Sequence, residues 1–169
     1  MSDPLSPLVY VWTIQSDRLA QPLLAELAVE YSGRYGHELE ELHDNLRSYP
    51  AERFAPPDGG LLLVLRGPHA VAGGAFQRYD ERTAELKRIW THSAHRRQGL
   101  ARQVVAELEK EAAGRGYQRI YLTTGPRQPE AKGLYLATGY TALFDVDADP
   151  LTIGPLPFEK ALPVGVGNR

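Results

Sequence analysis

Apolar positions along the chain change period several times, and each change predicts an element. From Leu8 to Ile14 β-branched and aromatic residues crowd together, which predicts a strand, and Ser16-Asp17 then offers a turn or helix cap. Leu23, Leu24, Leu27, Ala28 and Tyr31 recur at helical spacing, and Leu39, Leu42 and Leu46 repeat the pattern beyond Gly33 and Gly36. Two short helices joined at a glycine break are expected. Pro50 to Gly60 reads as a loop; Leu61 to Leu65 and Ala70 to Tyr79 read as strands paired around Gly67-Pro68, with Thr83 to Thr91 as the next strand. Leu100, Val104, Val105, Leu108 and Ala112 mark one face of a helix that Gly114 and Gly116 end. After it come a strand over Ile120 to Thr124, a helix over Pro129 to Thr138, a strand over Tyr140 to Phe144 and a closing strand over Pro157 to Leu162.

This order predicts an α/β (α+β) domain: a mixed, mostly antiparallel central sheet flanked by helices. A chain of 169 residues with 43% hydrophobic content is large enough for one such core, set at about residues 8–162 with a tail over 163–169. A net charge of -2 supplies no basic field, so nucleic acid is not an expected partner. With no Cys there is no disulfide, thiolate metal site or cysteine-bound intermediate, and no metal is expected. The N-terminus lacks a basic stretch followed by an apolar one, and no apolar run nears the ~20 residues of a membrane helix. The expectation is a cytoplasmic protein without a membrane partner, monomeric or homodimeric.

Chemistry concentrates between the strand ending at Thr91 and the strongest helix. Arg96-Arg97-Gln98-Gly99-Leu100-Ala101 would present backbone amides at a helix N-terminus, where phosphate oxygens bind well. Gly99 lets the backbone approach an anion, Ala101 keeps the next turn small, and Arg96, Arg97 and Arg102 add positive charge. An ordinary glycine turn with solvated arginines would look the same in isolation. Downstream, however, stands Ala131-Lys132-Gly133-Leu134-Tyr135-Leu136-Ala137-Thr138-Gly139-Tyr140. The two segments, in this order, resemble the two signatures of the Gcn5-related N-acetyltransferase (GNAT) family, and the resemblance runs from about Leu61 to Leu162.

That resemblance implies the acyl-CoA N-acyltransferase fold, acetyl-CoA as cofactor with coenzyme A as product, and the six residues Arg96 to Ala101 as the pyrophosphate loop. It further implies strands that part around Ile89 and Ile120, so that the backbone of Ile89, Trp90 and Thr91 bonds the pantetheine arm like an added strand. Gln128 stands where many members carry Asn and is a further candidate contact. Direct attack of a primary amine on the thioester in a ternary complex needs a base and a proton source for the thiolate. Glu85 stands where some histone-acetylating relatives have their base; as a surface residue it would instead pair with Lys87 or Arg88. Tyr135 stands where the family's tyrosine lies beside the cofactor sulfur, and otherwise reads as a core aromatic. His92 and His95 flank the loop as alternative bases.

The acceptor is expected to be a small-molecule amine. Tyr31, Arg34 and Tyr35 would frame a carboxylate on it, whereas Asp145, Asp147 and Asp149 would attract a cation. Two other functions remain open on sequence: acetylation of a peptide or protein N-terminus or lysine, and non-catalytic binding of an acyl-CoA by a regulatory module.

Overall fold

The computed structural model describes residues 6–163. The tail expected from residue 163 therefore lies, after Pro163, outside the described residues. Seven strands form one sheet: β1 (Leu8–Thr13), β2 (Gly60–Arg66), β3 (His69–Arg78), β4 (Thr83–Thr91), β5 (Arg119–Thr124), β6 (Thr141–Ala142) and β7 (Leu156–Ala161). Their order is β1-β2-β3-β4-β5-β7-β6, antiparallel throughout except for the parallel pair β4–β5. Among the described residues four α-helices cover it: α1 (Gln21–Tyr35), α2 (Leu39–Ser48), α3 (Leu100–Gly114) and α4 (Pro129–Ala137).

The sheet separates two apolar cores. On one face Leu62, Phe76, Ala84 and Leu86 meet Val104, Leu108 and Ala112 of α3 and Tyr135 of α4. On the other face Leu61, Leu63, Ala75 and Trp90 meet Leu23, Leu27 and Ala28 of α1, with Leu46 and Phe54. Side chains alternate across a strand, so β4 would keep Ala84, Leu86 and Trp90 together if it were regular. It is not: Ala75 pairs with Lys87, but Gly73 pairs with Trp90, so β4 carries one residue more than β3 over this stretch. The bulge centres on Arg88, whose φ of 62° is left-handed. It shifts the phase by one, and Trp90 joins the α1 core while Leu86 stays under α3.

Three expected boundaries moved. Helix α1 continues through Gly33 and stops at Gly36, which takes φ 72° and closes the helix with its N–H on the Ser32 carbonyl. An exposed helical glycine costs about 1 kcal/mol, which the burial of Leu23, Leu24, Leu27 and Ala28 offsets. The Pro50 to Gly60 segment contains a short 3₁₀ turn over Ala51–Phe54 and ends in β2. The strand expected over Tyr140 to Phe144 shrinks to Thr141–Ala142, the two residues in register with β7, with one further bond from Leu143 N to the Pro157 carbonyl.

Glu26 ties α1 to the far end of β4. Its carboxylate accepts from Trp90 Nε1 at 2.9 Å, Ser93 N at 3.1 Å and Ser93 Oγ at 3.0 Å. Partial burial opposes its charge, but the bonds from Trp90 and Ser93 and the proximity of His92 outweigh that and hold its pKa below the ordinary value. The stability this contributes is full above the ordinary carboxylate range and is lost as pH falls through the lowered folded pKa. Glu26→Gln is expected to lower stability at pH 7 by about 1 kcal/mol, the modest end for a charged hydrogen bond because the group is partly solvated. The gap from wild type should narrow at pH 4, as read by urea melts at both pH values.

Candidate active site

Parallel pairing between β4 and β5 lasts only three residues: Thr83, Ala84 and Glu85 opposite Arg119, Ile120 and Tyr121. Beyond it β4 runs on to Thr91 and β5 to Thr124 without pairing to each other. The sheet therefore parts as expected, although Ile120 lies in the last paired stretch rather than at the opening. A cavity of about 960 Å³ occupies the parting. Leu86 to Thr91 form one lip, Thr123 to Gly125 the other, with α1, the start of α3 and α4 as walls.

At one mouth of this cavity stands the loop before α3. Arg97 at φ 65° and Gly99 at φ 75° are both left-handed and turn the chain sharply into the helix. Gly99 is the N-cap, and no side chain caps the helix. The first intrahelical acceptance is Gln103 N on the Gly99 carbonyl, which leaves the amides of Leu100, Ala101 and Arg102 without helical partners at the positive end of a fifteen-residue helix. Arg96, Arg97, Gly99, Leu100, Ala101 and Arg102 all line the cavity; Gln98 is exposed and does not. A Cβ at Gly99 would meet no protein atom within 4 Å, so the glycine is required there by its backbone angle.

Tyr135 lines the cavity while only 4% exposed. Its ring packs edge-on to Tyr140, at 5.3 Å between centroids, and at 5.6 Å from Phe158. Burial, with a smaller contribution from Tyr31, pushes its pKa far above that of a free phenol, so it keeps its proton at neutral pH. Tyr31 is also raised, by burial first and Glu30 second.

Tyr31, Arg34 and Tyr35 reach the opposite lip. Tyr35 donates to Gln128 Oε1 at 3.4 Å and accepts from Arg127 N at 3.3 Å. Gln128 Oε1 also accepts from Gly125 N at 2.8 Å, closing the turn between β5 and α4. A Cβ at Gly125 would lie 1.7 Å from the Tyr35 hydroxyl, so the contact exists only because that residue is glycine. Arg34 is ion-paired to Glu30 at 3.1 Å and to Glu130, and is bonded to the Arg127 carbonyl. These carboxylates leave Arg34 little charge for a ligand.

Glu85 is placed differently from the other expected residues. It does not line the cavity; its carboxylate accepts from Gln77 Nε2 at 2.9 Å and lies 4.0 Å from Lys87 Nζ. His92 and His95 also lie outside the lining, and His92 Nδ1 accepts from Ala94 N at 3.0 Å. Asp145 and Asp149 accept from Asp147 N and Leu151 N, shaping exposed turns away from the cavity. Sequence reasoning did not single out Arg88 as a site residue, nor Gly125, and both line the cavity. The available signal for Arg88 was a cation at a position in phase with Ala84, Leu86 and Trp90.

The chain belongs to the acetyltransferase (GNAT) family, whose model matches residues 21–140. Among curated proteins it is 29% identical over 99 residues to the uncharacterized N-acetyltransferase YsnE of Bacillus subtilis, covering 57% of this chain and 66% of that one. It is 31% identical over 106 residues to human N-acetyltransferase 8, covering 59% and 44%. The matched regions thus span just under two thirds and under half of these relatives. The fold matches that of the PaiA N-acetyltransferase of Thermoplasma acidophilum, solved in complex with coenzyme A: TM-score 0.69, 16% identity, 92% of this chain and 99% of that one. No helix among the described residues is long and apolar enough to cross a membrane.

Gly99→Val would place a β-branched residue at φ 75°, a strain of about 1–2 kcal/mol that the loop relieves by moving. Affinity for coenzyme A, measured by calorimetry, is expected to fall at least about tenfold. Unchanged affinity in a folded variant would remove the loop from the site.

Proposed function

We propose that the protein is an acetyl-CoA-dependent N-acetyltransferase acting by direct attack of a small-molecule primary amine in a ternary complex. One observation carries this: the three-residue limit of β4–β5 pairing opens a cavity that joins an amide-rich, arginine-flanked helix N-terminus to a protonated, buried tyrosine. The donor's pyrophosphate would rest on the amides of Leu100 to Arg102 beneath Arg96 and Arg97, and its amide-bearing arm would bond the free backbone edge of Ile89 to Thr91. The thioester then lies between the strands, near Tyr135 and within reach of an acceptor entering past Tyr31 and Tyr35.

Tyr135 donates a hydrogen bond to the sulfur as the tetrahedral intermediate collapses. Complete proton transfer from it is disfavoured, because an alkyl thiol titrates near ~8.5 and this phenol sits far above that. Its contribution is stabilisation of charge developing on sulfur, with the amine's own proton completing the thiol. Glu85 lies outside the lining, so a proton from the amine reaches it through water. Glu85→Gln is expected to shift the acidic limb of kcat/KM against pH while leaving acetyl-CoA affinity intact; an unmoved limb assigns the deprotonation to solvent.

The test of the function is thiol release from acetyl-CoA in the presence of an amine library, with mass detection of the acetylated product. Tyr135→Phe is expected to lower the single-turnover rate by about 100-fold with acetyl-CoA affinity within about threefold of wild type. A Phe variant with normal single-turnover chemistry and only a lowered Tm would reduce Tyr135 to a packing residue. Tight acetyl-CoA binding without turnover of any amine would favour a regulatory acyl-CoA-binding module.

A further inference from the structure

Arg88 sits at the β4 bulge and lines the cavity together with Tyr31, Leu42 and Lys87. Its guanidinium stacks 5.0 Å from the centre of the Tyr49 ring and 5.6 Å from that of Phe54, and these two rings stack on each other at 5.2 Å. The aromatic pair holds the cation by its ring faces without offering it an anion. No carboxylate bonds to it among the described residues, and its Nε is buried without a hydrogen-bond partner. The contrast with its neighbours is informative. Arg34 is saturated by Glu30 and Glu130, Lys87 faces Glu85 at 4.0 Å, and Arg96 and Arg97 are exposed on the loop before α3.

A partly buried cation with an orphaned donor is an unfavourable arrangement for the empty protein, and burial correspondingly pulls the Arg88 pKa down. Its backbone is unfavourable as well, since φ 62° suits glycine rather than arginine. Left-handed non-glycine residues held in place by their surroundings concentrate at ligand sites. A planar fork of donors matches a carboxylate bidentately, and with Nε closed off the outer nitrogens of Arg88 are the pair that would present it.

We infer that Arg88 binds a carboxylate on the acceptor, so that the substrate is a small amino acid rather than a polyamine or other purely cationic amine. This rests on the acetyltransferase reading above and narrows it. Arg88 immediately precedes the Ile89 to Thr91 edge assigned to the cofactor arm, so a carboxylate held there places a nearby amino group beside the thioester. Of the aspartates that favoured a cationic acceptor on sequence, Asp145 and Asp149 accept bonds within turns, and none of the three lines the cavity.

The experiment is a panel of free amino acids, each compared with its primary amide and its decarboxylated amine, using thiol release and thermal shift in the presence of acetyl-CoA. Wild type is expected to acetylate at least one amino acid with kcat/KM at least about 100-fold above that for its amide. Arg88→Gln should abolish that preference by losing the carboxylate substrate while retaining acetyl-CoA affinity, and Arg88→Lys should recover only part of it. Arg88→Gly, which suits φ 62°, is expected to hold or raise the Tm while losing the same activity, an outcome a structural arginine would not give. Equal turnover of amides and decarboxylated amines, or equal loss on all three in Arg88→Gln, would overturn the inference and leave the acetyltransferase reading standing. Carboxylate-dependent, Arg88-dependent thermal shifts without thiol release would uphold Arg88 as a carboxylate site and overturn its assignment to an acetyl acceptor. No carboxylate dependence in either readout, with any compound, would also overturn it.

Discussion

The separation of β4 from β5 governs this molecule, and one added residue in β4 produces it. A bulge bends its strand and increases its local twist, and here it falls three residues past the last β4–β5 pair, where the two strands diverge. Strand edges exposed in this way carry unpaired N–H and C=O groups, each worth about 1–3 kcal/mol when buried without a partner. A cavity between them is therefore a site for a ligand with amides of its own or for water, and never a dry void. The same insertion moves Trp90 into the opposite core, which anchors the diverging end of β4 under α1 instead of under α3.

Helix α1 braces the opening. Glu26 holds Trp90 and Ser93 on the β4 side, whereas Tyr35 and Arg34 hold Gln128, Arg127 and Glu130 on the β5 side. Nine residues of helix separate the two anchors, a span of about 13.5 Å at 1.5 Å per residue. The brace keeps the lips apart from outside the sheet, so the width of the cavity is set by a rigid element and not by the ligand. Tyr31 and Arg88, proposed to face the acceptor, lie on that same side, whereas the loop proposed for the cofactor leads into α3.

Much of this was legible in the sequence because it is local. Helical spacing of Leu100, Val104, Val105 and Leu108 and the apolar runs of β2 and β3 on either side of Gly67-Pro68 gave the right elements in the right order, and the two spaced motifs indicated a GNAT fold. What escaped depended on distant partners. Gly33 looked like a break, yet packing carried α1 past it to Gly36. Tyr140 to Phe144 looked like a full strand, yet its ladder with β7 covers Thr141 and Ala142 and ends in a single further bond from Leu143 N to the Pro157 carbonyl. Gly125 is indispensable only because Tyr35, ninety residues earlier, presses against it. Arg88 was hidden by alternation: a strand reading of Ala84, Leu86, Arg88 and Trp90 looks regular, and nothing short of the β3 register reveals that the phase changes. Glu85 stands on β4 outside the cavity lining, bonded by Gln77 and 4.0 Å from Lys87, an arrangement set by neighbours that its place in the sequence does not reveal.

The helix N-terminus and the open strand edge have one property in common that bears on the protein in its cell. On the proposed reading, both grip the nucleotide and the arm, which donor and spent carrier share, and neither touches the acetyl group. Binding energy of this kind is uniform across the reaction and does not favour the loaded carrier over the empty one. Free coenzyme A therefore competes with its acetylated form on nearly equal terms. The rate then follows the ratio of the two carriers more closely than the absolute level of either, which makes the split sheet a reporter of acetyl supply.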